Sequence, residues 1–238
     1  MLELKQRLNR FSVMQLMNQN NQTTFFSKKA IAIGLFCLLI SFLTFSAPNP
    51  TILVMGDSLS AEYGIQRGSG WVGMLEQQLI KQGSQWNVFN ASISGETTSG
   101  GLTRFQNLLE QKKPGMVILE LGANDALRGL SIVETEKNLR MMIQQSKKTG
   151  AKVVLLGMQI PPNYGQEYTK KFRDLYPRLA SQENVEIVPF FMAGVVNDPS
   201  LFQADNIHPN EKAQGLLFKN VWGAMAPYQK LLLNNKTN

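Results

Sequence analysis

Five short apolar runs, separated by longer amphipathic stretches, constrain this 238-residue chain more than any other feature. Ile52–Met55, Trp86–Ala91, Met116–Leu121, Val153–Leu156 and Val185–Val188 read as strands. A strand wet on one face alternates apolar and polar residues. Several of these runs are continuous in Val, Ile and Leu, which demands burial on both faces and hence a parallel sheet. Between them, Trp71/Met74/Leu75/Leu79, Leu102/Phe105/Leu108/Leu109 and Leu139/Met142/Ile143 recur at helical spacing. A further helix is expected over Gln166–Ala180, interrupted near Pro177. A last one is expected from Pro209, carrying Leu216, Leu217 and Val221. Strand–helix alternation with right-handed crossovers predicts a three-layer α/β/α sandwich around a five-stranded parallel sheet.

Open sheets of this kind bind ligands beyond the carboxyl ends of their strands. Ser58 falls just after the first run, Gly95 after the second and Asn124 after the third. Asp205 and His208 lie in the loop before the last helix. The fold therefore predicts that five polar or small residues, scattered through the chain, meet at one edge.

Their chemistry is coherent. His208 is the only histidine in the chain, and imidazole is the usual general base near neutral pH. Asp205, three residues earlier, can orient it, and Ser58 in Gly56-Asp57-Ser58-Leu59-Ser60 is the candidate nucleophile. Ser60 is the weaker candidate, and the G-x-S-x-G elbow is absent. A tetrahedral intermediate needs donors aimed at its oxyanion; the Gly95 amide and the Asn124 side chain, both at strand ends, are candidates. Each block also has a plain structural use, as a helix cap, a glycine turn or an Asx turn. It is their joint placement that favours a serine esterase.

The net charge of +7 does not indicate a nucleic-acid partner. Residues 1–47 hold five basic side chains (Lys5, Arg7, Arg10, Lys28, Lys29) against Glu3, leaving only +3 on the rest, with no basic run interleaved with aromatics. Lys28-Lys29, the apolar stretch Ala30–Phe45 and the small residues Ser46 and Ala47 have the layout of a secretory signal. An uncleaved membrane anchor over residues 30–47 is the competing reading, and Met14 or Met17 is an alternative start. Cys37 is the only cysteine, so cleavage would remove disulfides and Cys/His zinc sites from consideration. The expected organisation is a signal peptide or anchor over 1–47 and a single domain over 48–238, exported to the periplasm or secreted, acting as a monomer without metal or organic cofactor.

Four blocks, Gly56-Asp57-Ser58-Leu59, Gly95, Gly122-Ala123-Asn124-Asp125 and Asp205-Asn206-Ile207-His208, together resemble the GDSL or SGNH hydrolase family. The likeness runs from Thr51 to about Leu232. Ile52–Ala61, Asn90–Gly95, Leu119–Asp125, Pro162–Gly165 and Pro189–Met192 resemble most its bacterial periplasmic branch of multifunctional thioesterases, lysophospholipases and arylesterases. That resemblance implies a flavodoxin-like fold and oxyanion donors from the Ser58 amide, the Gly95 amide and the Asn124 side chain. It also implies a mobile cover over an acyl chain at Asp125–Leu130. On this basis Asp125, Leu127 and Leu130 on one wall, with Pro161, Pro162 and Tyr164 on the other, are candidate substrate contacts. The implied substrates are small acyl esters and thioesters, with membrane lipid a candidate among them. Two alternatives remain open: a carbohydrate O-acetyl esterase of the same family, and a non-catalytic flavodoxin-like binding module.

Overall fold

A computed structural model describes residues 49–233, so the signal, the anchor, Cys37 and the boundary at 48 fall outside the described residues. Five strands, β1 (Thr51–Gly56), β2 (Asn87–Asn90), β3 (Met116–Glu120), β4 (Lys152–Leu156) and β5 (Glu186–Val188), form one parallel sheet in the order β2-β1-β3-β4-β5. That is the flavodoxin-like order, with its reversal between β1 and β3. Ile52–Met55 and Met116–Leu119 on those central strands are fully buried, as their unbroken apolar sequences require. The predicted strands are all present, with ends displaced by about one residue.

The helices are α1 (Trp71–Lys81), α2 (Thr98–Lys112), α3 (Ala123–Leu127), α4 (Ile132–Lys148), α5 (Gln166–Glu183), α6 (Glu211–Ala224) and α7 (Gln229–Leu233). Helices α2, α4 and α5 pack in a row, and α1 packs on α6, which gives the three layers. Side chains end the helices as their sequences anticipate. Thr97 accepts from Gly100 N at 3.2 Å, Ser131 from Glu134 N at 3.3 Å and Asn210 from Lys212 N at 3.0 Å. Helix α1 has no such residue at Gly70; its Trp71 amide is met instead by Gln214 Oε1 of α6 at 3.0 Å.

Two helical expectations are corrected. Helix α5 runs unbroken through Pro177. Proline there is exposed, so the carbonyl it leaves without an amide faces water, while Phe172, Leu175, Tyr176 and Leu179 anchor both halves in the core. Helix α6 starts at Glu211 rather than Pro209 because Pro209 is held in an antiparallel bridge to Phe202 and Asn210 takes the cap. Among the described residues no helix is long and apolar enough to cross a membrane.

Candidate active site

The sheet edge assembles the residues that the sequence singles out. Ser58 lies two positions past β1 in a run of turns, not on the way into a helix: Ala61 N donates to Asp57 O at 2.9 Å and Tyr63 N to Ser58 O at 3.3 Å. The strand after β2 runs on beside β1, with Ala91 N on Val54 O and Ile93 N on Gly56 O, and so carries Gly95 alongside the serine turn. Gly95 has φ +78°, a conformation that suits glycine. Pairing of Gly56 with Glu120 sets the end of β3 level with the end of β1, and Asn124 follows in α3.

Ser58 Oγ is 3.0 Å from His208 Nε2, and His208 Nδ1 is 2.7 Å from Asp205 Oδ2. The other Asp205 oxygen accepts the Ile207 amide at 2.9 Å and the His208 amide at 3.0 Å. The His208 amide and ring, with the Ile207 amide, hold the Asp205 carboxyl down at about 2. Asn206, in the left-handed region at φ +56°, makes this tight turn, an adoption that asparagine tolerates well. The loop is clipped shut by the Phe202–Pro209 bridge and by Gln203 N on His208 O at 2.8 Å. A three-residue spacing thus becomes a fixed carboxylate–imidazole pair aimed at a serine 150 positions upstream.

The amides of Ser58 and Gly95 have no hydrogen-bond partner among the described residues. Asn124 is half-buried, and its Nδ2 donates one hydrogen to Asp57 Oδ2 at 2.9 Å, which leaves the second N–H uncommitted. Ser60 is buried and donates to Glu120 Oε2 at 2.7 Å, so it is not placed as a nucleophile. Sequence reasoning missed the two residues that frame this centre. Glu120 lies beneath the serine turn, and Tyr63 lies over the imidazole with ring centroids 4.5 Å apart. An acid inside an otherwise apolar parallel strand was the available signal for Glu120.

The candidate substrate contacts divide. Asp125 is corrected: it is buried, and its carboxylate accepts from Thr98 N at 2.8 Å, Thr98 Oγ1 at 2.5 Å and Thr135 Oγ1 at 3.3 Å. It ties α2 and α4 to α3 instead of facing a ligand. The stretch implied as a mobile cover is partly helical, and Tyr168 Oη donates to Leu130 O at 2.8 Å. Leu127 is half-buried, whereas Leu130, Pro161, Pro162 and Tyr164 are exposed. Arg128 reaches back to donate to Gly95 O at 2.9 Å. The cleft against Ser58, between Tyr63, Ile65 and His208, has room for little more than a water. A larger surface hollow of about 360 Å³ beside Ile160, Pro162 and Arg173 shares no residue with it.

Three comparisons bear on this geometry. A family model described as "GDSL-like Lipase/Acylhydrolase family" matches residues 54–216. The chain is 46% identical to Esterase TesA of Pseudomonas aeruginosa over 191 residues, covering 80% of this chain and 95% of that protein. It is 42% identical to Thioesterase 1/protease 1/lysophospholipase L1 of Escherichia coli K12 over 180 residues, 76% of this chain and 84% of the other. Among solved structures, psychrotrophic esterase EstA from Pseudoalteromonas sp., inhibited by monoethylphosphonate, superposes with a TM-score of 0.71 at 39% identity. That superposition covers 75% of this chain and 97% of EstA.

Proposed function

Because the chain belongs to the GDSL-like lipase/acylhydrolase family and is a serine esterase, we propose that it hydrolyses carboxylic esters and thioesters through an acyl-Ser58 intermediate. The observation that carries this reading is the unbroken relay Ser58 Oγ–His208 Nε2 and His208 Nδ1–Asp205 Oδ2, at 3.0 and 2.7 Å.

Ser58 Oγ attacks the acyl carbonyl while its proton passes to His208 Nε2. Asp205 keeps the other ring nitrogen protonated and stabilises the imidazolium that forms. The carbonyl oxygen, now anionic, is met by the Ser58 amide, the Gly95 amide and the uncommitted Asn124 N–H. His208 returns its proton to the departing alcohol or thiol. A water then attacks the acyl enzyme with His208 again as base, and Ser58 is regenerated. All of these groups come from one chain, so the site is complete within a single subunit.

Aryl esters, acyl-CoA thioesters and lysophospholipids are the proposed substrates, since the relatives are named as esterase, thioesterase and lysophospholipase. Exposed Leu130 and Tyr164, beside half-buried Leu127, are proposed to meet the acyl chain. The layout of residues 28–47 supports export, with the periplasm as the proposed location.

The acyl-chain profile of p-nitrophenyl ester hydrolysis, from acetyl to palmitoyl, tests the assignment on the full chain. Preference for medium or long chains and loss of turnover in Ser58→Ala are the expected results. A sharp acetate preference would instead support a carbohydrate O-acetyl esterase. Turnover that survives Ser58→Ala would remove Ser58 from its role.

A further inference from the structure

Glu120 ends β3 as a fully buried acid in a strand that is otherwise apolar. Its Oε2 accepts the Asp57 amide at 3.2 Å and the Ser60 hydroxyl at 2.7 Å. Its Oε1 is shielded from solvent and meets no donor among the described residues. Adjacent Asp57 is almost as deeply buried, and it accepts the Leu59 amide on Oδ1 at 3.0 Å and Asn124 Nδ2 on Oδ2 at 2.9 Å. Two buried carboxyl groups this close, joined through the Asp57 amide and without a cation between them, cannot both ionise, so one of the pair keeps a proton.

The surroundings decide which one. No lysine or arginine pairs with either acid among the described residues. The titratable groups facing them are His208, whose positive form favours an ionised Asp57, and Tyr176, whose hydroxyl donates to Leu121 O at 3.0 Å. Burial, then the neighbouring Asp57, push Glu120 well above the usual carboxylate range. Burial also raises Asp57, but the Leu59 amide and the Asn124 side chain pull against it and it reaches only about 6. Glu120 is thus the weaker acid, and Oε1, without any donor, is the atom that has room for the proton.

We propose that Glu120 is a positioning residue: as a neutral acid it donates Oε1–H to the Asp57 carboxylate, and Asp57 in turn orients the Asn124 amide toward the oxyanion. The physical point is the direction of the amide. An asparagine can present either its oxygen or its NH₂ to a site, and the wrong face would repel a developing oxyanion. An ionised carboxylate only accepts, so it selects the NH₂. A protonated Asp57 could donate to the Asn124 oxygen and favour the reversed amide. By retaining the proton, Glu120 keeps Asp57 an acceptor. This inference rests on the reading of Asn124 as an oxyanion donor in an acyl-Ser58 mechanism.

The test uses the full-length protein, p-nitrophenyl butyrate and infrared spectroscopy. Turnover is normalised to active sites titrated with an organophosphonate, so that misfolded protein does not count. Removing one oxyanion donor lowers kcat about 10²–10³-fold, and misorienting one in Glu120→Ala should cost about 10–100-fold in kcat with KM nearly unchanged. Glu120→Gln offers Asp57 a neutral N–H and keeps a carbonyl acceptor, and it should recover most of that loss. At neutral pH the parent should show the C=O stretch of a buried protonated carboxyl, and Glu120→Gln should lack it. The proposal is overturned if the parent has no such band, if the band persists in Glu120→Gln, or if glutamine is no better than alanine. Should Glu120→Ala not fold, the band and the kcat of Glu120→Gln against the parent decide the matter. Ser58→Ala, measured alongside, separates the two levels. Retained turnover there defeats the acyl-Ser58 reading, whereas its loss together with a failed glutamine rescue defeats only the role of Glu120.

Discussion

The ring of Tyr63 lies against that of His208, centroids 4.5 Å apart and planes inclined by 42°. Little of this contact is core packing, because Tyr63 is 51% exposed. Its backbone is what is fixed. Tyr63 N donates to Ser58 O at 3.3 Å, and Tyr63 O accepts from Gln203 Nε2 at 2.8 Å. The preceding residue, Glu62, has φ +61°, a strained choice for a side chain with a Cβ. It is held there by its carboxylate, which accepts the Gly68 amide at 2.8 Å and the Gly70 amide at 2.9 Å. The serine turn, the imidazole loop and the start of α1 are thereby tied through the adjacent pair Glu62 and Tyr63.

An aromatic face stabilises a cation, and His208 becomes one each time it takes the Ser58 proton. At a partly exposed site this is worth about 0.5–1 kcal/mol, so Tyr63→Ala should lower kcat roughly 2–5-fold while Tyr63→Phe stays close to the parent. Steady-state kinetics on a p-nitrophenyl ester check this. Equal losses in the two variants would point to the hydroxyl instead, and no loss in either would make the ring contact incidental.

Asp205 does two jobs with its two oxygens, and one substitution separates them. Asparagine can keep an oxygen on the Ile207 and His208 amides, preserving the turn, but it then offers NH₂ to His208 Nδ1. That contact favours the tautomer with the proton on Nε2, which cannot accept from Ser58. Asp205→Asn should therefore stay folded, giving up only the modest stabilisation that the ionised carboxylate supplies, and lose kcat by about 10⁴-fold, as expected for a reversed imidazole. Near-parent kcat in the folded variant would show that the imidazole does not depend on this carboxylate for its tautomer.

Much of this edge could be read from residues, because a parallel sheet translates sequence position into spatial position. A strand buried on both faces announces itself as an unbroken apolar run, and topology places the residues beyond its carboxyl end. Ser58, Gly95, Asn124 and the Asp205–His208 loop were locatable for that reason. Loop detail was not, because it depends on competition among local partners. Pro209 could start a helix on propensity alone, yet the bridge to Phe202 outweighs that preference. Asp125 stands one position after Asn124, but helical geometry turns it toward Thr98 and away from the edge. Glu120 was hidden inside a correctly identified strand, since a five-residue apolar pattern tolerates one acid without changing its reading. Its significance depends on Asp57, 63 positions earlier in the chain.

The same buried pair should leave a signature in stability against pH. Glu120 is raised well above its ordinary 4.5 and Asp57 is raised from 3.8 to about 6, so the folded protein binds more protons here than the unfolded chain does. Their stabilising contribution is complete below the unfolded values and is lost as pH rises through the folded ones. Asp205 has the opposite sign. Lowered from 3.8 to about 2, it supports the fold above 3.8 and ceases to do so only as pH falls through about 2, so its contribution is constant above 4.5. Glutamine at position 120 takes up no proton on folding. The unfolding free energy of Glu120→Gln minus that of the parent should therefore grow as pH rises above 4.5, with a limiting slope of about 1.4 kcal/mol per pH unit for one proton. Growth should continue past pH 6, where the Asp57 contribution has levelled off. A difference that stays flat over that range would mean that Glu120 ionises in the folded protein as readily as in the unfolded chain.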